Sequence, residues 1–153
     1  MYLVTKTYGH ELGLSACFRQ WRAKSHCRFL HGYPLSFKLT FATDTLDENN
    51  WVIDFGGLKY IKGWLVDTFD HKLLVAADDP CRQELEDLAV GNGPDKLADV
   101  IVVPFVGCEG FAQYVFAFVD DWLKAEGHSP RVVLTSVEVR EHGGNSAIYA
   151  GAR

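Results

Sequence analysis

The stretch CRFLHGY at residues 27–33 sets a thiol four residues ahead of an imidazole, with a phenol two residues further on. If His31 ligates a metal from a strand, a second ligand on the same face belongs two residues along, and that position is Tyr33. Cys27 has Arg22, Lys24, His26 and Arg28 around it in sequence. Cationic neighbours favour thiolate, the form that acts as base or nucleophile. The same stretch equally suits a loop cysteine tucked under Trp21 or Phe29. In FDHKLL, Asp70 and His71 suit a helix end whose cations meet the dipole. They also suit an acid–base pair in which the carboxylate orients the ring and raises its basicity. Glu141, in VEVREHGG, is either a solvated strand end or, if buried, a carboxylate able to take two parallel N–H bonds from a guanidine-like ring edge. Glu109 follows Cys108 where a long helix opens, a position that favours an acid with or without a ligand.

These groups need elements to hold them. Residues 2–18 read as an extended segment interrupted at Gly9 and Gly13, a strand with a bulge or bend. Residues 19–30 carry four Lys/Arg side chains and read as a loop. In PLSFKLTFAT, Leu35, Phe37, Leu39 and Phe41 alternate with Ser36, Lys38 and Thr40, the period of a half-buried strand. Asp54 can cap a helix carrying Phe55, Leu58, Ile61, Leu65 and Phe69, with its end near FDHK. RQELEDLA reads as a short amphipathic helix and ADVIVVPF as a short strand. A long helix from Glu109 to Gly127 shows Phe111, Val115, Phe118 and Trp122 on one stripe. VVLTSVEVRE and SAIYAGA form a hairpin through HGGN. The order predicts an α+β domain over residues 1–153, an antiparallel four-stranded sheet with helices on one face. Exposed sheet edges invite closure by subunit pairing, so a homo-oligomer is expected.

The 153 residues are enough for a substantial core, and 48% hydrophobic with 23% charged is a globular composition. A formal charge of −5 with no Lys/Arg cluster argues against a nucleic-acid surface. The apolar runs are too short for a bilayer and the first residues lack a signal-peptide pattern, so a cytoplasmic protein is expected. Cys17, Cys27, Cys81 and Cys108 show no CxxC spacing, which leaves buried hydrophobes or chemical groups rather than a disulfide framework.

Six stretches in order resemble the family of 6-pyruvoyl-tetrahydropterin and 6-carboxy-tetrahydropterin synthases, across roughly residues 10–151. LSACFRQW resembles the family's FSAAHRL, CRFLHGY its C-x-x-LHGH, and WVIDFGGLK its G-x-[VI]-x-DF-x-x-LK. FDHKLL is similar to LDHxxL, VGCEGFAQYV to PTxEN-x-A-x-x-[IV], and VEVREHGGNSAIYAG to V-x-V-x-ET-x-x-x-x-A-x-Y-x-G. The resemblance implies a tunnelling fold (ββααββ) whose sheets join between subunits, commonly as a hexamer of two trimers. It implies a pterin substrate, 7,8-dihydroneopterin triphosphate, and zinc held by three histidines. It further implies proton transfer by Cys27 with an Asp70–His71 pair from a neighbouring subunit, a pterin anchor in Glu141, and Glu109 bordering the pocket.

The departures fall together. The positions of the three zinc histidines correspond to Phe18, His31 and Tyr33, so one ligand remains where a catalytic zinc needs three. The family's PT becomes Gly107-Cys108, and the Thr after the anchoring Glu becomes His142. Three readings follow. The first is a pterin lyase with zinc rearranged onto His31 and His10, Cys17 or His26, although Cys17 must face away if Phe18 holds the ligand position. The second is a metal-free enzyme acting on a different dihydropterin, which must replace the Lewis-acid effect of the ion. The third is a non-catalytic pterin- or purine-binding protein.

Overall fold

Strand β3 (His31–Thr43) organises the chain, and its alternation puts Leu35, Phe37, Leu39 and Phe41 wholly out of solvent. A computed structural model describes residues 1–151; the last two positions of the domain expected from sequence lie outside the described residues. Along one edge of β3, strands β1 (Tyr2–Tyr8) and β2 (Leu14–Phe18) pair antiparallel end to end. The interruption expected at Gly9 and Gly13 is a single 3-10 turn at His10–Leu12, closed by Gly13 at φ 63°, a left-handed backbone suited to glycine. On the other edge lies β6 (Val133–His142), which turns at Gly143-Gly144 into β7 (Asn145–Ala150). This is the expected four-stranded antiparallel arrangement.

The sheet extends further than the sequence suggests. Residues Lys72–Ala76 form β4, parallel to β2, and β5 (Val100–Val103) runs parallel to β4, so the whole sheet is mixed. The stretch KLLVA follows a helix with no Gly or Pro between, because the reversal is made by His71 at φ 56°, and periodicity therefore gave no break.

Asp54 caps the predicted helix: its Oδ1 accepts the Gly56 N–H at 2.7 Å over a 3-10 turn, Phe55–Leu58, that leads into α1 (Lys59–Phe69). Leu58, Ile61, Leu65 and Phe69 are buried as expected, whereas Phe55, in the turn and out of α-helical register, is 47% exposed. The short α2 (Arg82–Asp87) places Leu85 over Leu73, Val75 and Cys17 in a small satellite cluster. Helix α3 (Cys108–Ala125) buries Phe111, Ala112, Val115, Val119 and Leu123 against the sheet. Its real stripe is thus rotated from the expected one. Phe118 and Trp122 sit at the margin, where Phe118 stacks on Trp64 with centroids 3.7 Å apart and planes 5° apart.

Rings join the layers. Phe37 meets Phe69 at 4.8 Å, Phe69 meets Phe111 at 5.4 Å, and Phe111 meets Phe18 edge-on at 5.1 Å. Phe111 links helix to sheet at 0% exposure, so Phe111→Ala is expected to lower unfolding free energy by about 3–5 kcal/mol in urea titration. Tyr60→Ala, at a position 60% exposed, should cost far less.

Candidate active site

The loop carrying Cys27 is fastened before it reaches the site. Arg19, just beyond β2, donates from Nε to Asp79 Oδ2 at 2.8 Å and from Nη2 to Oδ1 at 2.6 Å. The Asp79 side chain is 1% exposed and also accepts the Cys81 N–H at 2.8 Å. This bidentate pair holds the Asp79 carboxyl below the usual carboxylate range. Beside it, Trp21 Nε1 and Arg22 Nη2 both donate to Asp78, at 3.2 and 2.6 Å. The loop closes on itself through the Gln20 N–H to the Cys27 carbonyl at 2.9 Å, and Cys27 sits in a 3-10 turn, His26–Arg28, capped by Ser25.

The guanidinium groups near Cys27 in sequence are therefore engaged elsewhere. Arg19 and Arg22 face aspartates, and Arg28 donates to the carbonyls of Lys24 and Ser25 while lying over the Phe29 ring at 4.5 Å. None of them lines the cavity that Cys27 enters.

That cavity is the open end of the core. The core-facing series of β2 ends in Phe18, that of β3 begins with His31 and Tyr33, and that of β6 runs past Val137 and Val139 to Glu141. The start of α3 adds Cys108 and Glu109. Together with Gln20, Cys27, Gly144, Asn145 and Ser146 they enclose about 400 Å³. The structure thus brings Cys27, His31, Glu109 and Glu141 to one place, and Tyr33 with them. Glu141 is the extra residue of a bulge, since Arg140 pairs with Ser146 and His142 with Asn145. Such a bulge re-aims a side chain. Its Oε1 accepts from Asn145 Nδ2 at 2.9 Å, with His142 Nε2 3.7 Å away.

Gln20, Gly144, Asn145 and Ser146 are the lining residues that sequence reading missed. Asn145 looked like turn chemistry only, and Gln20 carried no signal. Gln20 Nε2 lies against Gly107, whose φ of 99° is a backbone conformation that favours glycine. This contact ties the loop to the start of α3.

The two thiols of the cavity differ. Burial, and then the charges of Glu141 and Glu109, push the Cys108 thiol up to about 11, so it stays protonated near neutrality. Burial, then the charges of Glu141, Cys27 and Cys108, also raise the Tyr33 phenol.

His31 holds its Nδ1 against the Phe29 carbonyl at 2.6 Å, which assigns the proton to that nitrogen and leaves Nε2 as an acceptor. Phe18 lies directly across the strands from His31, with ring centroids 5.4 Å apart, and Tyr33 meets His31 edge-on at 5.5 Å. Phenylalanine has no donor atom, and a phenol held protonated is a poor ligand, so this trio does not fit a three-histidine metal site. The rearranged set is not assembled either. Cys17 faces the satellite cluster, His10 Nδ1 lies against the Pro34 carbonyl, and no group of three His, Cys, Asp or Glu side chains among the described residues is placed to hold a metal ion.

Asp70 and His71 form their pair outside this cavity. Asp70 Oδ1 lies 2.9 Å from His71 Nδ1 and accepts the Ser15 N–H at 3.0 Å. The His71 backbone N–H is bound to the Ser15 carbonyl at 2.6 Å, which holds its left-handed conformation and leaves the ring side chain 84% exposed.

The mixed sheet, the helices α1 and α3 on one face and this acid- and thiol-lined core end define an α+β protein with a cavity at one end of its core. The family model described as "6-pyruvoyl tetrahydropterin synthase" matches residues 9–152, and the chain belongs to that family. It is 28% identical over 137 residues to the 6-carboxy-5,6,7,8-tetrahydropterin synthase of Aquifex aeolicus, covering 90% of this chain and 83% of that one. It is 40% identical to the enzyme of the same name from Rickettsia typhi over 57 residues, 37% of this chain and 41% of that one. In fold it is similar to an uncharacterized protein of Wolinella succinogenes (TM-score 0.80, 19% identity, 99% of this chain and 98% of that one). It is also similar in fold to the Plasmodium falciparum 6-pyruvoyl tetrahydropterin synthase (TM-score 0.69, 15% identity, 97% and 96%).

The Arg19–Asp79 clamp gives a pH signature. Because Asp79 is depressed in the folded chain, its contribution is complete above the unfolded aspartate value, about 3.9, and is lost as pH falls through the lower folded value. Asp79→Ala leaves Arg19 without its partner and is expected to cost about 3 kcal/mol near neutrality. Urea titrations at stepped pH should show the parent converging on the variant below that window.

Proposed function

We propose that the chain is a pterin-directed enzyme of lyase type, resembling 6-carboxy-tetrahydropterin synthase, that acts as an oligomer. The observation that carries this reading is a single cavity holding Cys27, Glu109 and Glu141 in a chain of this family. Glu141 has two carboxylate oxygens, one braced by Asn145, on a bulge aimed into the cavity. That is the acceptor pair a pterin's guanidine-like edge requires. Cys108 stays a thiol, which leaves Cys27 as the group that takes a carbon-bound proton from the ligand's side chain and passes it on.

The acid–base pair that relays this proton comes from a second copy. His71 projects from the surface, held by Asp70, where a neighbouring chain can present it to Cys27. Strands β1 and β7 each leave one edge unpaired among the described residues, which supports closure between copies, and a hexamer built from two trimers is the assembly we assign. No helix among the described residues is long and apolar enough to cross a membrane.

The donor set around His31 favours the version of this enzyme that works without zinc on a dihydropterin other than 7,8-dihydroneopterin triphosphate.

Turnover of 7,8-dihydroneopterin and its triphosphate tests the assignment. Cys27→Ala should lower kcat at least about 100-fold, the usual scale for a lost proton-transfer group, while Cys81→Ala should not. His71→Ala should be equally impaired. Mixed oligomers of the Cys27→Ala and His71→Ala chains should recover part of the activity, since some sites then combine an intact thiol with an intact pair. No recovery would place both residues' roles within one chain or remove them from catalysis.

A further inference from the structure

We infer that the ligand of this cavity is a dihydropterin with a short, unphosphorylated substituent, taken up without a metal ion; this rests on the pterin reading above and narrows it. Three independent features of the wall point the same way.

The first is charge. Among the residues lining the cavity are two carboxylates, Glu109 and Glu141, and no lysine or arginine. The loop that supplies Cys27 is the basic part of the chain, yet Arg19 and Arg22 are paired with Asp79 and Asp78 and Arg28 is turned onto backbone carbonyls. A triphosphate brings several negative charges next to carboxylates that this chain pairs with no cation, a repulsive juxtaposition. A hydroxymethyl or similar neutral group meets no such penalty.

The second is the aromatic trio. Phe18 and Tyr33 occupy the positions that, together with His31, converge on one face of the β2–β3 pair. Tyr33 offers one phenolic hydroxyl there and Phe18 only carbon. The hydroxyl can form a single hydrogen bond to a substituent, whereas two adjacent hydroxyls with a charged tail would lie against carbon. The Phe18 ring is also fixed from behind by Phe111, 5.1 Å away, so it has little freedom to withdraw. At 2% exposure it is part of the core.

The third is size. The share of the cavity that this chain supplies, about 400 Å³, is enough for a bicyclic ring and a short chain.

Equilibrium titration separates the outcomes, using 6-hydroxymethyl-7,8-dihydropterin, 7,8-dihydroneopterin and 7,8-dihydroneopterin triphosphate, each with EDTA and with added zinc chloride. The hydroxymethyl compound should bind at least about tenfold more tightly than the triphosphate, and zinc should change neither affinity. Glu141→Gln should weaken all three compounds. Tighter binding of the triphosphate that still depends on Glu141 would overturn this inference and leave the pterin reading intact; a steep loss of that affinity with salt would locate the missing cations on a neighbouring copy. Failure of all three compounds to bind would sink the pterin reading and this inference together.

Metal content provides a readout that needs no ligand. The parent chain should retain far less than one zinc per chain after dialysis, and the Phe18→His/Tyr33→His double variant, which completes a three-histidine face with His31, should retain about one. Stoichiometric zinc in the parent would contradict the inference whether or not the double variant folds.

Discussion

The structure depends on one strand bonded along both edges. β3 carries β1 and β2 in succession on one side and β6 on the other, so its register sets the faces of all three neighbours. Side chains alternate along a strand, and a slip of one residue would exchange the buried and exposed sets. The same register that buries Leu35, Phe37, Leu39 and Phe41 carries Tyr33 and His31 onto the core face beyond them. Site and core are consecutive stretches of one pattern. This explains why the cavity floor is aromatic: it is the last layer of a packed core, continued from Phe111 to Phe18.

Chemistry is added to that floor from segments with separate anchors. Glu141 arrives on a bulge, Glu109 and Cys108 on the first turn of α3, and Cys27 on a loop held to the β4–α2 turn by the Arg19–Asp79 pair. Beside the clamp, Arg22, a charge that sequence proximity would assign to the thiol, is taken up by Asp78. The clamp's placement makes the loop rigid while leaving the cavity walls acidic, and both consequences bear on which ligand enters.

Much of this was legible in the sequence, for reasons specific to each element. The alternation in β3, the Asp54 cap and the Gly-Gly hairpin are local signals, and each appears where its chemistry required. Family motifs pointed to Cys27, His31, Glu109 and Glu141, which the fold sets around one cavity, because motif order carries tertiary information that spacing alone lacks. β4 was not legible, since a non-glycine residue in a left-handed conformation starts it and no turn residue marks the boundary. The engagement of Arg19 by Asp79 spans 60 positions and left no local trace. Gln20 and Asn145 are ordinary polar residues that matter only through what folding sets beside them. Asp70 and His71 lie on a different surface from Cys27, so the proposed partnership runs between copies.

The central claim is that Glu141 holds a pterin ring at this core end. A crystal structure with 6-hydroxymethyl-7,8-dihydropterin tests it most directly. The account expects two ring nitrogens within about 3 Å of the Glu141 carboxylate oxygens, with the substituent toward Cys27 and Tyr33. A ring bound elsewhere, with Glu141 still bonded only to Asn145, would contradict it.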